Sequence, residues 1–241
     1  MKAQEISWQY KFDVHNKKFL KNMVSTNSSF NEKWERMVRA QLIARDIVDK
    51  EVLRAMAKVP RHEFLPADLQ DRAYDDTPLP IEEMQTISQP YIVAYMIQAL
   101  SIKKGDRILE VGTGSGYQTA LLAEIHEKVY TVEVRAQLAH KAMAKIKELG
   151  YGDRVKLHIA DGSVGYEEGA PFDGIIVAAA TFDIPEPLIK QLAEKGKIII
   201  PIGGTDVQTL VRATKVKGKL IKEELFQCMF VPLVRQEFEN N

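Results

Sequence analysis

One short segment constrains the fold of this 241-residue chain more than any other, the run ILEVGTGSG at residues 108–116. A largely apolar stretch typical of a buried strand is followed by glycines at alternate positions, Gly112, Gly114 and Gly116. Glycine tolerates the positive φ angles of a tight strand-to-helix turn, and it has no Cβ to hold the backbone away from a ligand. The segment therefore predicts a βα unit whose turn cradles a nucleotide-like cofactor.

The residues around these glycines favour one class of nucleotide-like ligand. A dinucleotide-binding turn has the pattern G-x-G-x-x-G, which requires glycine at position 117, where this chain has Tyr117. Glu110, close before the first glycine, would repel a pyrophosphate but attract the ammonium and sulfonium groups of S-adenosylmethionine. The turn thus favours S-adenosylmethionine, and the alternative is an ordinary βα turn that binds no ligand.

Acidic residues also lie at or just after the carboxyl ends of two further predicted strands. The second strand ends in Glu133, one βαβ unit after the glycines, where a carboxylate binds a ribose diol. The third strand, residues 155–159, is followed by Asp161 and Gly162. The carboxyl ends of parallel strands form one crevice, so we expect Glu110, Glu133 and Asp161 to converge there. Each acid taken singly is as compatible with a solvated loop, but three at the ends of successive strands favour a binding site.

Strand and helix signals alternate from residue 101 to residue 203, which predicts an α/β fold with a doubly wound, mostly parallel, Rossmann-like sheet. N-terminal helices and loops are expected in residues 31–100, and an antiparallel hairpin in residues 204–241. We expect a single domain over residues 31–241 after a flexible extension, residues 1–30. Helices are predicted at 92–100, 117–125, 135–149 and 187–192, strands at 107–111, 129–133, 155–159, 174–177 and 197–201, and hairpin strands at 210–216 and 220–234.

Charge and cysteine content argue against several functions. The chain has 33 Lys plus Arg and 33 Asp plus Glu, so no strong field attracts nucleic acid or an anionic membrane. The single cysteine, Cys228, cannot form an intramolecular disulfide, and no Cys/His cluster indicates a metal site. No apolar stretch is long enough for a membrane span or a signal peptide. We therefore expect a cytoplasmic monomer that binds no metal, nucleic acid or membrane.

Several segments together resemble one family. The segment Gln85–Tyr91, with the sequence QTISQPY, precedes the glycine turn, and residues 170–173, 192–203 and 230–234 follow it. With residues 110–119, these segments closely resemble the protein-L-isoaspartate O-methyltransferases, from about residue 31 to the C-terminus. The glycine turn is common to class I S-adenosylmethionine-dependent methyltransferases, whereas TISQP at this distance before it is specific to the family.

The resemblance implies methyl transfer from S-adenosylmethionine to the α-carboxylate of L-isoaspartyl residues in damaged proteins, a repair that leads through a succinimide to aspartate. It implies Ser88 as the active-site residue, with Gln85, Thr86 and Ile87 beside it at the cofactor. A carboxylate that titrates near about 4 is already ionised at neutral pH, so positioning suffices without a general base. Ser88 is also compatible with capping a helix that begins near Pro90.

Alternatives remain open from the residues alone. They are another S-adenosylmethionine-dependent methyltransferase, a nicotinamide-dependent oxidoreductase, which Tyr117 and Glu110 disfavour, and a non-catalytic module of the same fold that binds proteins. The fourth strand ends in small apolar residues, 177–180, rather than in the Asp/Asn-Pro-Pro-aromatic turn that stacks a flipped base in base methyltransferases. A nucleic-acid base is therefore a disfavoured substrate.

Overall fold

The structure, a computed structural model, describes residues 30–234, so the extension expected before residue 31 lies outside the described residues apart from its last position. The α/β prediction is confirmed: within residues 30–234, seven strands form one mostly parallel sheet flanked by helices. None of the helices in this range is both long and apolar enough to cross a bilayer. The α-helices are α1 (Phe30–Arg36), α2 (Lys50–Lys58), α3 (Pro90–Leu100), α4 (Tyr117–Ile125), α5 (Ala136–Glu148) and α6 (Glu186–Gln191), and a π-helical segment, Met37–Ile43, follows α1. The strands are β1 (Leu79–Pro80), β2 (Thr86–Ile87), β3 (Ile108–Val111), β4 (Val129–Glu133), β5 (Val155–Ile159), β6 (Phe172–Val177), β7 (Leu192–Gly203), β8 (Gln208–Val216) and β9 (Lys219–Cys228).

The order of the strands places a crevice beside β3. The large sheet runs β5-β4-β3-β6-β7-β8-β9, with parallel pairing from β5 to β7 and antiparallel pairing from β7 to β9. The chain moves from β3 to β4 on one side and later returns to β6 on the other. The direction of the strand order therefore reverses at β3. The helices on the two sides of this reversal lie on opposite faces of the sheet and leave an opening at the carboxyl ends of the strands. The small β1–β2 hairpin is a separate antiparallel pair.

Side-chain alternation along β3 divides the core between the two faces of the sheet. Ile108 belongs to an apolar cluster that includes residues of α1 to α5, whereas Leu109 and Val111 belong to a second cluster with α6. Both faces of β3 are therefore covered, as in a central parallel strand, and all four of its residues are buried. Glu110 points to the same face as Ile108 and is itself fully buried.

The C-terminal hairpin is confirmed, but its second strand is shorter than predicted. β8 and β9 are joined at Lys217 and Gly218, yet β9 ends at Cys228 rather than continuing to residue 234. Pro232 has no N–H to donate to a strand ladder, which disfavours a strand through residue 234, and the chain has already left the sheet edge after Cys228. It instead forms an isolated bridge beside β6, in which the Leu233 N–H donates to the Ala180 carbonyl at 2.8 Å.

Other element boundaries also differ from the prediction, by the largest amount in β7. Helix α3 begins at Pro90 rather than at residue 92, because proline is preorganised for the first helical position. Helix α6 lies one residue earlier than predicted, at Glu186–Gln191, and β7 extends the predicted residues 197–201 at both ends. The long β7 is held by parallel pairing with β6 and antiparallel pairing with β8.

We predict that Gly116 is required for close packing of α4 on α5. Gly116 has a φ of 87°, and a Cβ added there would lie 3.1 Å from Ala142 Cβ and 3.2 Å from Ile146 Cδ1. Gly116→Ala should lower the free energy of unfolding by about 2–4 kcal/mol, through left-handed strain and overpacking. Gly218→Ala is the matched control, because Gly218 has a φ of 75° with no atom within 4 Å of an added Cβ. Urea denaturation measures the free energy of unfolding of both variants. Equal decreases in the two variants would contradict the packing contribution.

Candidate active site

A cavity of about 790 Å³, including its open mouth, lies at the carboxyl ends of β3, β4 and β6. Three parts of the chain meet there: the glycine turn with the ends of these strands, the segment around β2 and the C-terminal residues 231–234. Predicted site residues in its wall are Gln85, Thr86, Ile87, Ser88, Gly112, Gly114, Glu133 and Gly162, whereas Glu110, Gly116 and Asp161 are not part of the wall.

The glycine turn is anchored to the neighbouring strand. The Gly112 N–H donates to the Val132 carbonyl at 2.8 Å, and the Gly116 N–H donates to the Thr113 carbonyl at 2.9 Å. Gly114 has a φ of 54°, and a Cβ added there would meet no protein atom within 4 Å. The backbone at Gly114 therefore borders the open space of the cavity, where a ligand can approach it closely.

Glu133 connects the glycine turn with the start of α5. Its Oε2 accepts a hydrogen bond from the Gly114 N–H at 2.9 Å, and its Oε1 accepts one from the Arg135 N–H at 3.1 Å. The residue lines the cavity and is 7% exposed. Each carboxylate oxygen has about two acceptor positions, so one on each oxygen remains for a ligand hydroxyl.

Glu110 is buried in a hydroxyl-rich environment behind the glycine turn. Its Oε2 accepts hydrogen bonds from the Thr119 hydroxyl and, at 2.7 Å, from the Thr131 hydroxyl, which lies 2.6 Å from the Thr113 hydroxyl. Burial raises the pKa of Glu110 to about 7, although hydrogen bonds from Thr119 and Thr131 and the side-chain amide of Gln118 lower it in part. Among the described residues, Glu110 Oε1 is buried without a hydrogen-bond partner.

Gln118 is a candidate that the sequence reasoning missed. It follows Gly116 in the first turn of α4, lines the cavity and is 8% exposed, and its buried Nε2 has no partner among residues 30–234. The amide also lowers the pKa of the nearby Glu110 carboxyl, so it is placed to donate either to Glu110 or to a ligand carboxylate. A polar residue in the first helical turn after a glycine-rich segment was the available sequence signal. Arg135, next to the predicted acid Glu133, also lines the cavity.

Asp161 and Gly162 shape the turn after β5. The Asp161 Oδ1 accepts from the Ser163 N–H at 2.7 Å and so caps a short 3₁₀ helix. Gly162 lies against β3, where an added Cβ would be 2.4 Å from Val111 Cγ1. Gly162 is therefore at the cavity wall through close packing, and Asp161 supports the turn that brings it there.

Ser88 lies in the cavity wall between β2 and α3. The residue is half-buried, and its hydroxyl makes no hydrogen bond with another described residue. The capping interpretation is wrong, because Gln89 occupies the N-cap position of α3 and no side chain caps that end. The Gln89 Nε2 donates instead to Asp76 Oδ1 at 2.7 Å, which fixes the chain directly after Ser88.

Among residues 30–234, no group of three or more His, Cys, Asp and Glu side chains is placed to hold a metal ion. The cavity brings together the Glu133 carboxylate, a glycine turn open to a ligand, the Gln118 amide and the Ser88 hydroxyl.

Comparison with known proteins gives one consistent family. Residues 32–238 match the family model described as protein-L-isoaspartate(D-aspartate) O-methyltransferase. The chain is similar to the protein-L-isoaspartate O-methyltransferase of Opitutus terrae, with 52% identity over 204 residues that cover 84% of this chain and 87% of the relative. The enzyme of the same name from Syntrophus aciditrophicus is 47% identical, over 85% and 95% of the two chains. A Plasmodium falciparum protein assigned to the same family, solved in complex with S-adenosyl-L-homocysteine, superposes with a TM-score of 0.71 at 31% identity, covering 83% of this chain and 97% of that one.

The raised pKa of Glu110 leads to a prediction about stability and pH. Its folded pKa of about 7 lies above the ordinary value of 4.5, so its contribution to stability is present below pH 4.5 and is lost as pH rises through about 7. We therefore compare the free energies of unfolding of the wild type and of Glu110→Gln. The value for the wild type minus the value for the variant should decrease as the pH rises from 4.5 to about 7. Urea denaturation at a series of pH values measures it, with the exposed Glu127→Gln as the control substitution. Parallel pH profiles for wild type and Glu110→Gln would be evidence against this effect.

Proposed function

The chain belongs to the protein-L-isoaspartate O-methyltransferase family, and we propose that the cavity at the end of β3 is where it performs the reaction of that family. In this reaction a methyl group passes from S-adenosylmethionine to the α-carboxylate of an L-isoaspartyl residue in a damaged protein. The methyl ester then closes to a succinimide, whose hydrolysis yields aspartate. The observation that carries the assignment is that Glu133 and Ser88, from distant parts of the sequence, face the same cavity.

The residues of the cavity fit S-adenosylmethionine. The carboxylate of Glu133 retains acceptor positions for the two ribose hydroxyls, and the open space at Gly114 admits the ligand next to the backbone. The Gln118 amide, in the cavity wall, is a donor for the carboxylate of the methionine moiety, and Glu110, buried behind the glycine turn, favours its ammonium and sulfonium groups in its ionised form. When bound, this cofactor supplies an electrophilic methyl group. We assign these four residues, with Gly112, Gly116, Asp161 and Gly162 as supports of the turns, to cofactor binding.

Ser88 is proposed to orient the substrate. The isoaspartyl carboxylate is ionised at neutral pH and is itself the nucleophile, so no side chain has to remove a proton from it. The Ser88 hydroxyl, which has no partner among the described residues, donates a hydrogen bond to one carboxylate oxygen and directs the other at the methyl group. Gln85, Thr86 and Ile87 form the adjoining wall. The contribution of the protein is therefore alignment, which alone accelerates a reaction strongly.

The remaining surface of the cavity suits a polypeptide substrate. Ala178 and Ala179, directly after β6, and the C-terminal residues 231–234 present small or apolar groups and backbone to the cavity mouth. This wall leaves room for a flexible chain that carries the isoaspartyl residue. We propose damaged proteins as the partners, and, on the balanced charge and the single cysteine, a cytoplasmic monomer that does not bind nucleic acid or membranes.

Replacing Glu133 tests the cofactor assignment. Glu133→Ala should raise the Kd for S-adenosylmethionine about tenfold or more, because charge-assisted hydrogen bonds contribute roughly 1.5–3 kcal/mol. Glu133→Gln keeps one acceptor oxygen and should show a smaller loss. Isothermal titration calorimetry measures both, and unchanged affinity in Glu133→Ala would exclude the proposed role in ribose binding.

Replacing Ser88 tests the substrate assignment. Ser88→Ala should lower kcat on an isoaspartyl peptide by roughly ten- to a thousandfold through lost alignment, with little change in cofactor affinity. Ser101→Ala, outside the cavity, is the matched control and should leave turnover unchanged.

The same peptide with normal aspartate should be a very poor substrate for the wild type, since its carboxylate lies one carbon further from the backbone. Methyl transfer is measured with labelled cofactor. Equal turnover of the two isomers would refute isoaspartyl repair but not methyl transfer. Cofactor binding without any turnover would favour a non-catalytic module.

A further inference from the structure

A short strap, residues Ile81–Gln85, joins β1 to β2 and leads directly into the cavity segment that carries Ser88. Two backbone hydrogen bonds close the strap on itself. The Ile81 N–H donates to the Gln85 carbonyl at 2.9 Å, and the Gln85 N–H donates to the Glu82 carbonyl at 3.1 Å. The position of the strap therefore determines where Thr86 and Ser88 lie in the cavity wall.

The strap holds a backbone conformation that its sequence does not favour. Glu83 and Met84 each have a φ of 56°, in the left-handed region that glycine adopts more readily. The Met84 side chain is 90% exposed, so its packing does not compensate for the strain. Strained residues persist where the surrounding structure over-determines them. Other contacts of the strap must therefore hold it in place.

Two ion pairs connect the strap to α5. Lys141 Nζ lies 2.7 Å from Glu82 Oε2, and an Arg135 guanidinium nitrogen lies 3.5 Å from Glu83 Oε2. Arg135 lines the cavity, and its backbone N–H donates to Glu133. The second ion pair therefore links the strap to the residue that holds the carboxylate of Glu133.

The Glu82–Lys141 ion pair crosses a gap rather than a packed interface. Glu82 and Lys141 both line a second hollow of about 610 Å³, next to the cofactor cavity, with Ser115 of the glycine turn in the wall of both. Their side chains are 53% and 64% exposed, so water screens the pair. Each pair is individually weak, and together they fix the strap at two adjacent residues.

We propose that Glu82 and Glu83 are positioning residues for cofactor retention. Through Lys141 and Arg135 they hold the strap against α5, and so hold the wall residues Gln85–Ser88 over the bound cofactor. The proposal rests on the proposed function, because S-adenosylmethionine is the ligand that the strap retains.

Charge reversal tests the proposal. Glu82→Lys and Lys141→Glu each replace the ion pair by like charges, and each should raise the Kd for S-adenosylmethionine about three- to tenfold at low salt. The double variant Glu82→Lys/Lys141→Glu restores a pair of opposite charges and should return the Kd to within about twofold of the wild type. Calorimetry with S-adenosylmethionine and with S-adenosylhomocysteine, which lacks the sulfonium charge, measures the effect.

The design separates positioning from simple electrostatics. A long-range effect on a cationic ligand would make Glu82→Lys weaken binding and Lys141→Glu strengthen it, with little effect on S-adenosylhomocysteine. Positioning weakens both ligands in both single variants. Lys33→Glu, which breaks an exposed ion pair of 2.9 Å with Asp71 in another part of the protein, is the control and should not change the Kd.

Opposite signs in the two single variants, or a double variant that is not rescued, would overturn the proposal. Wild-type binding with no loss in either single variant would overturn it while leaving the proposed function intact. A wild type that binds neither ligand would overturn the proposed function and the strap together.

Discussion

Parallel pairing of β3 with β4 on one side and β6 on the other is the constraint on which the rest of this structure depends. Because β3 has neighbours on both edges and helices on both faces, a ligand can approach it only from an end, and the cavity lies at its carboxyl end. The glycine turn lies at that end and is fixed by the Gly112 hydrogen bond to the last residues of β4. A cavity follows from the strand order itself, and the side chains decide what it binds.

The burial of Glu110 shows what this arrangement costs. A carboxylate in a central, fully covered strand loses its hydration, and the rise of its pKa to about 7 reflects that loss. The hydroxyls of Thr119 and Thr131 restore part of it, whereas Oε1 remains unpaired among the described residues. Under the proposed function, attraction to the cationic cofactor accounts for an acid at this position.

The substrate side of the cavity is built differently from the cofactor side. Ser88 does not lie on the large sheet but directly follows β2. The strands β1 and β2 have two residues each, and a hairpin this short is not stable alone. Its position depends on the Gln89 hydrogen bond to Asp76 and on the strap between β1 and β2. Under the proposed function, alignment of the substrate therefore depends on polar contacts among loops as well as on the rigid sheet.

The sequence by itself determined the alternation of strands and helices, the glycine turn, the position of Glu133 and the hairpin turn at Lys217–Gly218. These features are local, because periodicity, backbone conformation and turn chemistry depend on neighbouring residues. The family assignment likewise depended on motifs readable without coordinates.

Only the tertiary structure decided which of the predicted residues meet. Glu110 was expected at the crevice, but side-chain alternation in β3 turns it toward α4, and the nearby Gln118 reaches the cavity wall instead. Residues 229–234 were predicted to extend β9, but they leave the sheet to pair with Ala180 beside the cavity. Such outcomes depend on packing and pairing between segments far apart in the chain, and these long-range contacts have no local signal in the sequence.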